Sequence, residues 1–483
     1  MAKDLRTFLD KVRQMQAAGG SFKEAGIVDV KRPMSWDLEV PTLQQKLAKG
    51  LRHRKIDPGE ARHPAIFCHK IEGSKIPLVT NLLGSWEMHG ASLGLEPSQW
   101  NEKGLTSEYK KRLAKPVPTV TVDASKAPVK EVILKGDDVD LGLLPILRHA
   151  TLNSGRYITV GCMVCMDPDT GIPNAGIYRH EVKGKNLLGA MINPKHHGDY
   201  IAHRYAQLGK PMEVIIYDGH HPAVVTAACV NGPVELNEYE VAGAYLGEPL
   251  EVIKAETVNI PVPARSEIII EGVIDNPREM VTDGPFSEGG GYYGRGEKPC
   301  YLIRVTAITM RKDAIYHDLD PCSREHGTTG GSSRTMDVFN AVKEVVPTVK
   351  AVRSTGPVVF VSIEKRAEGE GKWAALAAMT RSYNAAFVIV VDDDVDVFDD
   401  KRLWWAIGSR VVPDQNIDMI TRVTGHHLSP VAYNEAREPL VEGGPMQTRV
   451  IIDATKPLHI PFSTAIEPAW DLYNSMKVED YIT

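Results

Sequence analysis

Hydrophobic residues along this chain keep three different rhythms, and such a chain cannot build one uniform bundle or one uniform sheet. Near the start, Leu5, Phe8, Leu9 and Val12 recur at three and four residues, which predicts a helix that Gly19-Gly20 stops. A second short helix is expected from Thr42, a good N-cap residue, with Leu43 and Leu47 on one face. Between about 119 and 309 the rhythm changes to short β-branched runs separated by Gly, Pro and Asp. These are Tyr157 to Val164, Met212 to Tyr217, Ala223 to Cys229, Ile268 to Ile274 and Tyr301 to Ile308. From Pro357 onward, strand-like runs (Val358 to Ile363, Phe387 to Val391) alternate with helical ones (Lys372 to Tyr383, Lys401 to Arg410), a βαβα pattern that predicts a parallel sheet. Gly327 to Gly331 lies between the second and third rhythms and reads as a hinge or pocket loop.

A chain of 483 residues exceeds what one ordinary core holds, so two or three domains are expected. We divide it into 1–118, a β-rich 119–310, a linker with a pocket loop at 311–350, and 351–483. An apolar fraction of 43% with 24% charged residues suits a soluble globular protein. The net charge of −6 argues against nucleic acid as a partner, because phosphate backbones need a clustered basic surface. Apolar runs such as Phe387 to Val391 are too short to span a bilayer. No apolar segment follows the first residues, and six scattered cysteines make no disulfide framework, so a reducing cytoplasm is expected.

Several local patterns imitate known sites and fail on inspection. Cys162 and Cys165 have CxxC spacing, but residues three apart in a strand face opposite sides and no second pair follows. Asp392, Asp394 and Asp396 resemble the start of a calcium loop, yet Val397 and Leu403 occupy the positions that need Gly and Glu. Gly327 to Gly331 lacks the Gly-Lys-Ser/Thr of a phosphate loop. His220-His221-Pro222 reads as a turn between strands.

Four stretches of the middle region place polar residues beside strands: Asn174 to Arg179, Asn193 to Gly198, Glu235 to Gly247, and Asp283 to Tyr293. Taken singly, each has a structural explanation, as a turn cap, a surface histidine or a helix start. Together, Asn174-x-Gly-Ile-Tyr-Arg179, a His after a strand, Glu238 before Ala-Gly-Ala-x-x-Gly, and Asp283-Gly-Pro-Phe-x-Glu288 resemble the UbiD-type decarboxylases in order and spacing. Asp4-Leu-Arg-x-Phe-Leu9, Gly155 to Thr159, Val390 to Asp396 and Ile452 to Pro457 extend the resemblance over nearly the whole chain.

The resemblance implies an α+β and α/β multidomain fold: a β-barrel-like cofactor domain and a C-terminal α/β domain that forms a homodimer or homohexamer. It implies prenylated FMN supplied by a flavin prenyltransferase, a divalent ion such as manganese, and potassium. Asn174, His196 and Glu238 correspond to the divalent-metal ligands, a mixed oxygen and nitrogen set suited to a manganese-like ion. Ile177, Tyr178, Arg179, Lys195, His196, His197 and Gly198 are implied as cofactor contacts. Arg179, Asp283 and Glu288 correspond to the catalytic set of a reversible carboxy-lyase whose partners are a small carboxylic acid and CO2. In that reading Arg179 holds the carboxylate or cofactor, Glu288 transfers the proton and Asp283 orients Arg179. The pattern departs from the family at Asp283, where Glu is usual, and at Asn153, where many relatives carry Asp. Two other readings stand beside it: a flavin-independent metal-dependent hydrolase or lyase, and a non-catalytic subunit. Substrate selection is expected from Cys322 to Thr329 and from His426 to Pro430, with the active site between the central and C-terminal regions.

Overall fold

A computed structural model describes residues 2–194, 196–294, 296–382, 385–425, 429–432, 446–464, 466 and 468–477, without the side chains of 332–334 and 430. Its centre is a ten-stranded sheet. Eight strands follow in the order Pro173–Ile177, Cys162–Met166, Met212–Asp218, Ile268–Ile274, Lys298–Met310, Leu187–Met191, Arg179–Gly184 and Tyr157–Ile158. The 13-residue strand Lys298–Met310 is the spine. It pairs antiparallel with Ile268–Ile274 and Met280–Asp283 on one edge, and with Leu187–Met191 and Val132–Lys135 on the other.

Alternation explains why this sheet forms. Met163, Cys165, Val214, Ile216, Ile268 and Ile270 enter one buried cluster, while Cys162, Val164, Ile215, Tyr217 and Ile269 enter a second on the opposite face. The two cysteines of the CxxC therefore end in different cores, both as buried free thiols.

The first and seventh strands of the sheet are neighbours in sequence, separated by Tyr178 alone. Strands six places apart meet at one residue only if the sheet curls back on itself, so it forms the curled half-barrel.

The N-terminal region has a four-stranded sheet, ordered Ile27–Val30, Ala65–Cys68, Leu78–Thr80 and Tyr316–Asp318, whose last strand arrives from beyond the central sheet. Leu5, Phe8, Leu9 and Val12 of the helix Leu5–Ala18 are buried against it, as their spacing predicts. The C-terminal region is a five-stranded sheet flanked by helices. Val358–Ile363, Phe387–Asp392 and Met446–Ala454 run parallel, and both outer strands, Val349–Ser354 and Ile417–Thr424, are antiparallel. The expected parallel sheet is thus mixed.

Other expectations need correction. Ala223 to Cys229 forms no strand: Pro222–Ala227 is helical, begun by Pro222 at its first position and by His221, whose Nδ1 accepts the Ala223 amide at 3.2 Å. Full burial on all sides overrides the β-branched composition. Tyr157 to Val164 is two strands, Tyr157–Ile158 and Cys162–Met166. The second helix runs Glu39–Leu47, so Thr42 lies inside it and its hydroxyl donates back to Leu38 O at 2.7 Å. Gly327 to Gly331 is no loop but part of the 22-residue helix Arg324–Val345. Gly327 faces Arg52, whose guanidinium would lie 2.4 Å from a Cβ placed there. Among the described residues, no helix is long and apolar enough to cross a membrane.

The acidic turn after Phe387–Asp392 is neutralised internally. Arg410, with a side chain 1% exposed, donates to Asp392 at 2.9 Å and to Asp394 at 2.8 and 3.0 Å, and Lys103 reaches Asp396 at 3.0 Å. Arg410→Met should destabilise the protein by about 3–5 kcal/mol, because it strands buried charge. Urea unfolding checks this: a loss below about 1 kcal/mol would place the pair in the weak surface class.

Candidate active site

Two groups of polar residues lie on either side of Tyr178. The first is an ion cluster. Arg179 opens the strand Arg179–Gly184, Asp283 closes Met280–Asp283, and a tight turn through Gly284 and Pro285 brings Glu288 back toward Arg179. Gly284 has φ +91°, and a Cβ there would meet Gly296 O at 2.9 Å, so the turn requires glycine. Asn153 Oδ1 accepts the Ser287 amide at 2.8 Å, and Pro285 O accepts the Ser154 amide at 3.0 Å. The turn uses only an oxygen at position 153, which Asn supplies as well as Asp.

Arg179 Nε and Nη2 donate to Asp283 Oδ2 at 3.1 and 2.5 Å, and Nη1 donates to Glu288 Oε1 at 2.5 Å. The shorter Asp283 therefore reaches Arg179 with a single oxygen, and its Oδ1 is buried without a hydrogen-bond partner among the described residues. The guanidinium also lies 4.5 Å from the centre of the Phe286 ring, which packs on Tyr157. Burial pushes the Asp283 carboxyl up, while Arg179 opposes the shift. Burial works against the charge on Arg179, but Glu288 and Asp283 outweigh it and hold the guanidinium charged.

The second group is built around a buried acid. Glu238 opens the helix Glu238–Leu246; its Oε1 accepts from Asn174 Nδ2 at 3.1 Å and its Oε2 from the Ala175 amide at 2.9 Å. Burial pushes this carboxyl up to about 8, opposed by those hydrogen bonds. A bound cation would supply the charge that ionises it. His196 is the N-cap of the helix His197–Leu208, and its ring meets Tyr178 edge-on at 6.1 Å. Gly176 and Gly198 flank the Tyr178 side chain so closely that a Cβ on either would lie under 3.0 Å from it. Burial lowers the pKa of His197, opposed by Glu235. An amide, an imidazole and a buried carboxylate are a donor set that would suit a divalent cation.

Three segments of the chain match domains of one family: the 3-octaprenyl-4-hydroxybenzoate carboxy-lyase N-terminal domain at 23–103, its Rift-related domain at 120–323 and its C-terminal domain at 327–454. The chain is 33% identical to the anhydromevalonate phosphate decarboxylase of Methanosarcina mazei, over 91% of this chain and 95% of that one. This protein belongs to the UbiD family. The UbiD-class enzyme HmfF of Pelotomaculum thermopropionicum, solved with FMN, superposes with a TM-score of 0.82 at 31% identity, covering 99% of this chain and all of that one. An evolved dimeric form of HmfF with prenylated FMN gives 0.81 at 30% identity, covering all of both chains. The Sedimentibacter hydroxybenzoicus vanillic acid decarboxylase in its closed form gives 0.86 at 28%, again covering all of both.

Within this UbiD fold, Arg179 touches both Asp283 and Glu288, and Asn174 touches Glu238. Tyr178 and His196 stand between the two groups, with Ile177 half-buried beside them. Lys195 and His426 to Leu428 lie outside the described residues. The turn after Glu288 is covered by the N-terminal hairpin, through His53 Nε2 on Gly289 O at 2.8 Å, and by the start of the long helix, where His326 crowds Gly289. Sequence reading missed Lys298, 3.5 Å from Glu288, and Glu181, which accepts from Ser154, Lys183 and the Gly284 amide. Their places follow from strand register, which no local pattern announces.

Arg179→Met should cost about 3–5 kcal/mol by stranding the fully buried Asp283. Burial already raises the Asp283 pKa above 3.8, and the variant removes Arg179, its main opposing influence. The folded state then binds the extra proton, so stability falls as pH rises. Thermal unfolding should show a larger loss at pH 8 than at pH 5, and adding Asp283→Asn should abolish that difference. A loss independent of pH would contradict this account of the cluster.

Proposed function

We propose that this chain is a reversible, non-oxidative decarboxylase of an aromatic, heteroaromatic or α,β-unsaturated carboxylic acid that uses prenylated FMN. The observation that carries the reading is the buried Arg179–Asp283–Glu288 cluster beside the Asn174–Glu238 pair, in a fold whose relatives are solved with FMN and prenylated FMN. The flavin-independent hydrolase reading has no comparable support. Two relatives act on anhydromevalonate phosphate and on vanillic acid, an unsaturated and an aromatic acid, which suits this substrate class.

Asn174, His196 and Glu238 would hold a manganese-like ion, whose charge would favour a cofactor phosphate, and potassium is the monovalent ion that the family resemblance implies. By the family resemblance, Ile177, Tyr178, Lys195, His197 and Gly198 would be further contacts of the cofactor. The modified flavin supplies an electron sink for the carbon that loses its carboxyl group. Arg179 binds the substrate carboxylate through its charged fork. Asp283 keeps the Nε edge of that guanidinium fixed, so its outer edge meets the carboxylate without a search for orientation. The bond to the carboxyl carbon breaks, its electron pair stays with the substrate, and CO2 leaves. A proton from the Glu288 carboxyl forms the new C–H bond, and the carboxylate left behind regains a proton from solvent. In reverse, the same carboxylate removes the proton.

The central unit 119–310 then carries the cofactor, 1–118 and the 311–350 segment cover it, and 351–483 forms the oligomer. Trp373, Trp404 and Met419 are exposed at 63%, 72% and 72%, an apolar surface suited to a homodimer or a homohexamer. A cytoplasmic protein loaded by a flavin prenyltransferase completes the reading.

Protein co-expressed with a prenyltransferase and purified without oxygen should absorb in the near-ultraviolet and visible, with about one manganese-like ion per chain. Colourless protein carrying metal alone would sink the proposal. Glu288→Gln should keep the flavin and lose about 100-fold or more of its turnover on vanillic acid or anhydromevalonate phosphate, whichever is accepted. Glu238→Ala should instead lose metal and flavin together, read by metal analysis and absorbance.

A further inference from the structure

The Arg179 fork is already occupied by protein carboxylates. Nε and Nη2 are on Asp283, and Nη1 is on Glu288. To receive a substrate carboxylate at its outer edge, the guanidinium must release Glu288, since Asp283 is fully buried and holds the inner edge. Glu288 then needs another cation, or its carboxyl swings free in a buried site at the moment it must face the substrate carbon.

A cation stands ready. Lys298 begins the spine strand, in register opposite Asp283, and its side chain is 8% exposed. Its ammonium has no hydrogen-bond partner among the described residues and lies 3.5 Å from Glu288 Oε1, the oxygen that Arg179 also grips. Gly294 lies against both groups: a Cβ there would sit 2.7 Å from Glu288 Oε1 and 3.0 Å from Lys298 Nζ. An ammonium buried without hydrogen bonds is costly, and a structural lysine would normally be satisfied. Burial lowers the Lys298 pKa, opposed chiefly by Glu288, with Arg179 and Asp283 facing it as well.

We propose that Lys298 is a positioning residue for Glu288, taking over its carboxylate from Arg179 when Arg179 turns to the substrate. This rests on the decarboxylase reading for the roles of Arg179 and Glu288. The four groups, two acids and two cations, stay charge-balanced before substrate arrives. During binding the substrate carboxylate brings a third negative charge, so Glu288 takes up a proton from solvent as Arg179 leaves it, and Lys298 donates to the remaining carboxyl oxygen and holds the acid in place. A lysine suits this better than a second arginine, because a point charge on a flexible stem closes a 3.5 Å gap by rotating its terminal bonds.

Two measurements test the handover. The first needs neither substrate nor cofactor: a crystal structure of Arg179→Gln. Glu288 should stay in place, with Lys298 closing to a hydrogen bond of roughly 2.7–3.0 Å. Glu288 swinging to another partner, or Lys298 keeping its distance with water between them, would overturn the proposal. The second is kinetic, in the cofactor-loaded enzyme with vanillic acid or anhydromevalonate phosphate as probe. Lys298→Met should lower kcat roughly tenfold or more while KM stays within about twofold, and Lys298→Arg should recover most of the loss. A merely structural lysine would lower flavin loading or raise KM with kcat, and unchanged kcat in Lys298→Met would also overturn the handover. Glu288→Gln in the same assay separates the two layers. If it keeps its activity, the proton role of Glu288 fails; if it is inactive while Lys298→Met is unimpaired, only the handover fails.

Discussion

Everything at the candidate site depends on the closure of the central sheet at Tyr178. Ile177 ends one edge of the sheet and Arg179 begins a strand six places away, so a single buried residue joins both ends of the curl. That closure costs close packing: Gly176 and Gly198 must lack side chains for the Tyr178 side chain to fit, and His196 stands against its edge. In return, Asn174 and Arg179, five residues apart, join two separate polar groups, one with Glu238 and one with Asp283 and Glu288. A flat sheet would place them at opposite edges, a distance of several strand spacings of about 4.8 Å each.

The two sides differ in how they manage charge. Around Arg179 two acids and two cations face one another within the protein, Arg179 on Asp283 and Glu288 and Lys298 on Glu288. Such a cluster gives geometry more than net stability, since desolvation of the ions offsets most of their attraction. Around Glu238 the described side chains offer hydrogen bonds without a cation, and burial alone raises the proton affinity of the carboxyl. One side is complete in the protein; the other is shaped for a charge from outside. This division suits an enzyme that holds its cofactor through a metal and does its proton transfer with its own residues.

Much of the fold was legible because its rhythms are strong. Ile268–Ile274 and Val358–Ile363 appear at the predicted bounds, and the first helix buries its four predicted residues. The failures share one cause. Ala223 to Ala227 and Gly327 to Gly331 became helical because neighbours on all sides, the cap at His221 and the packing of Arg52 outweighed local preference. The site residues were legible only through resemblance, since each of Asn174, His196, Glu238 and Glu288 has a bland structural reading when taken alone. Lys298 escaped even that, because its significance lies in standing opposite Asp283 across a ladder.

By itself the sequence determined the kinds of layer, the two faces of each long strand and the set of chemically capable side chains, because these follow from periodicity and residue type over short distances. Only the tertiary structure decided which of those side chains meet. The curl at Tyr178, the single-oxygen grip of Asp283 on Arg179 and the approach of Lys298 to Glu288 are set by register between strands far apart in the chain. A one-residue slip would move each side chain to the other face while leaving every local pattern intact, so contact identity is a long-range property.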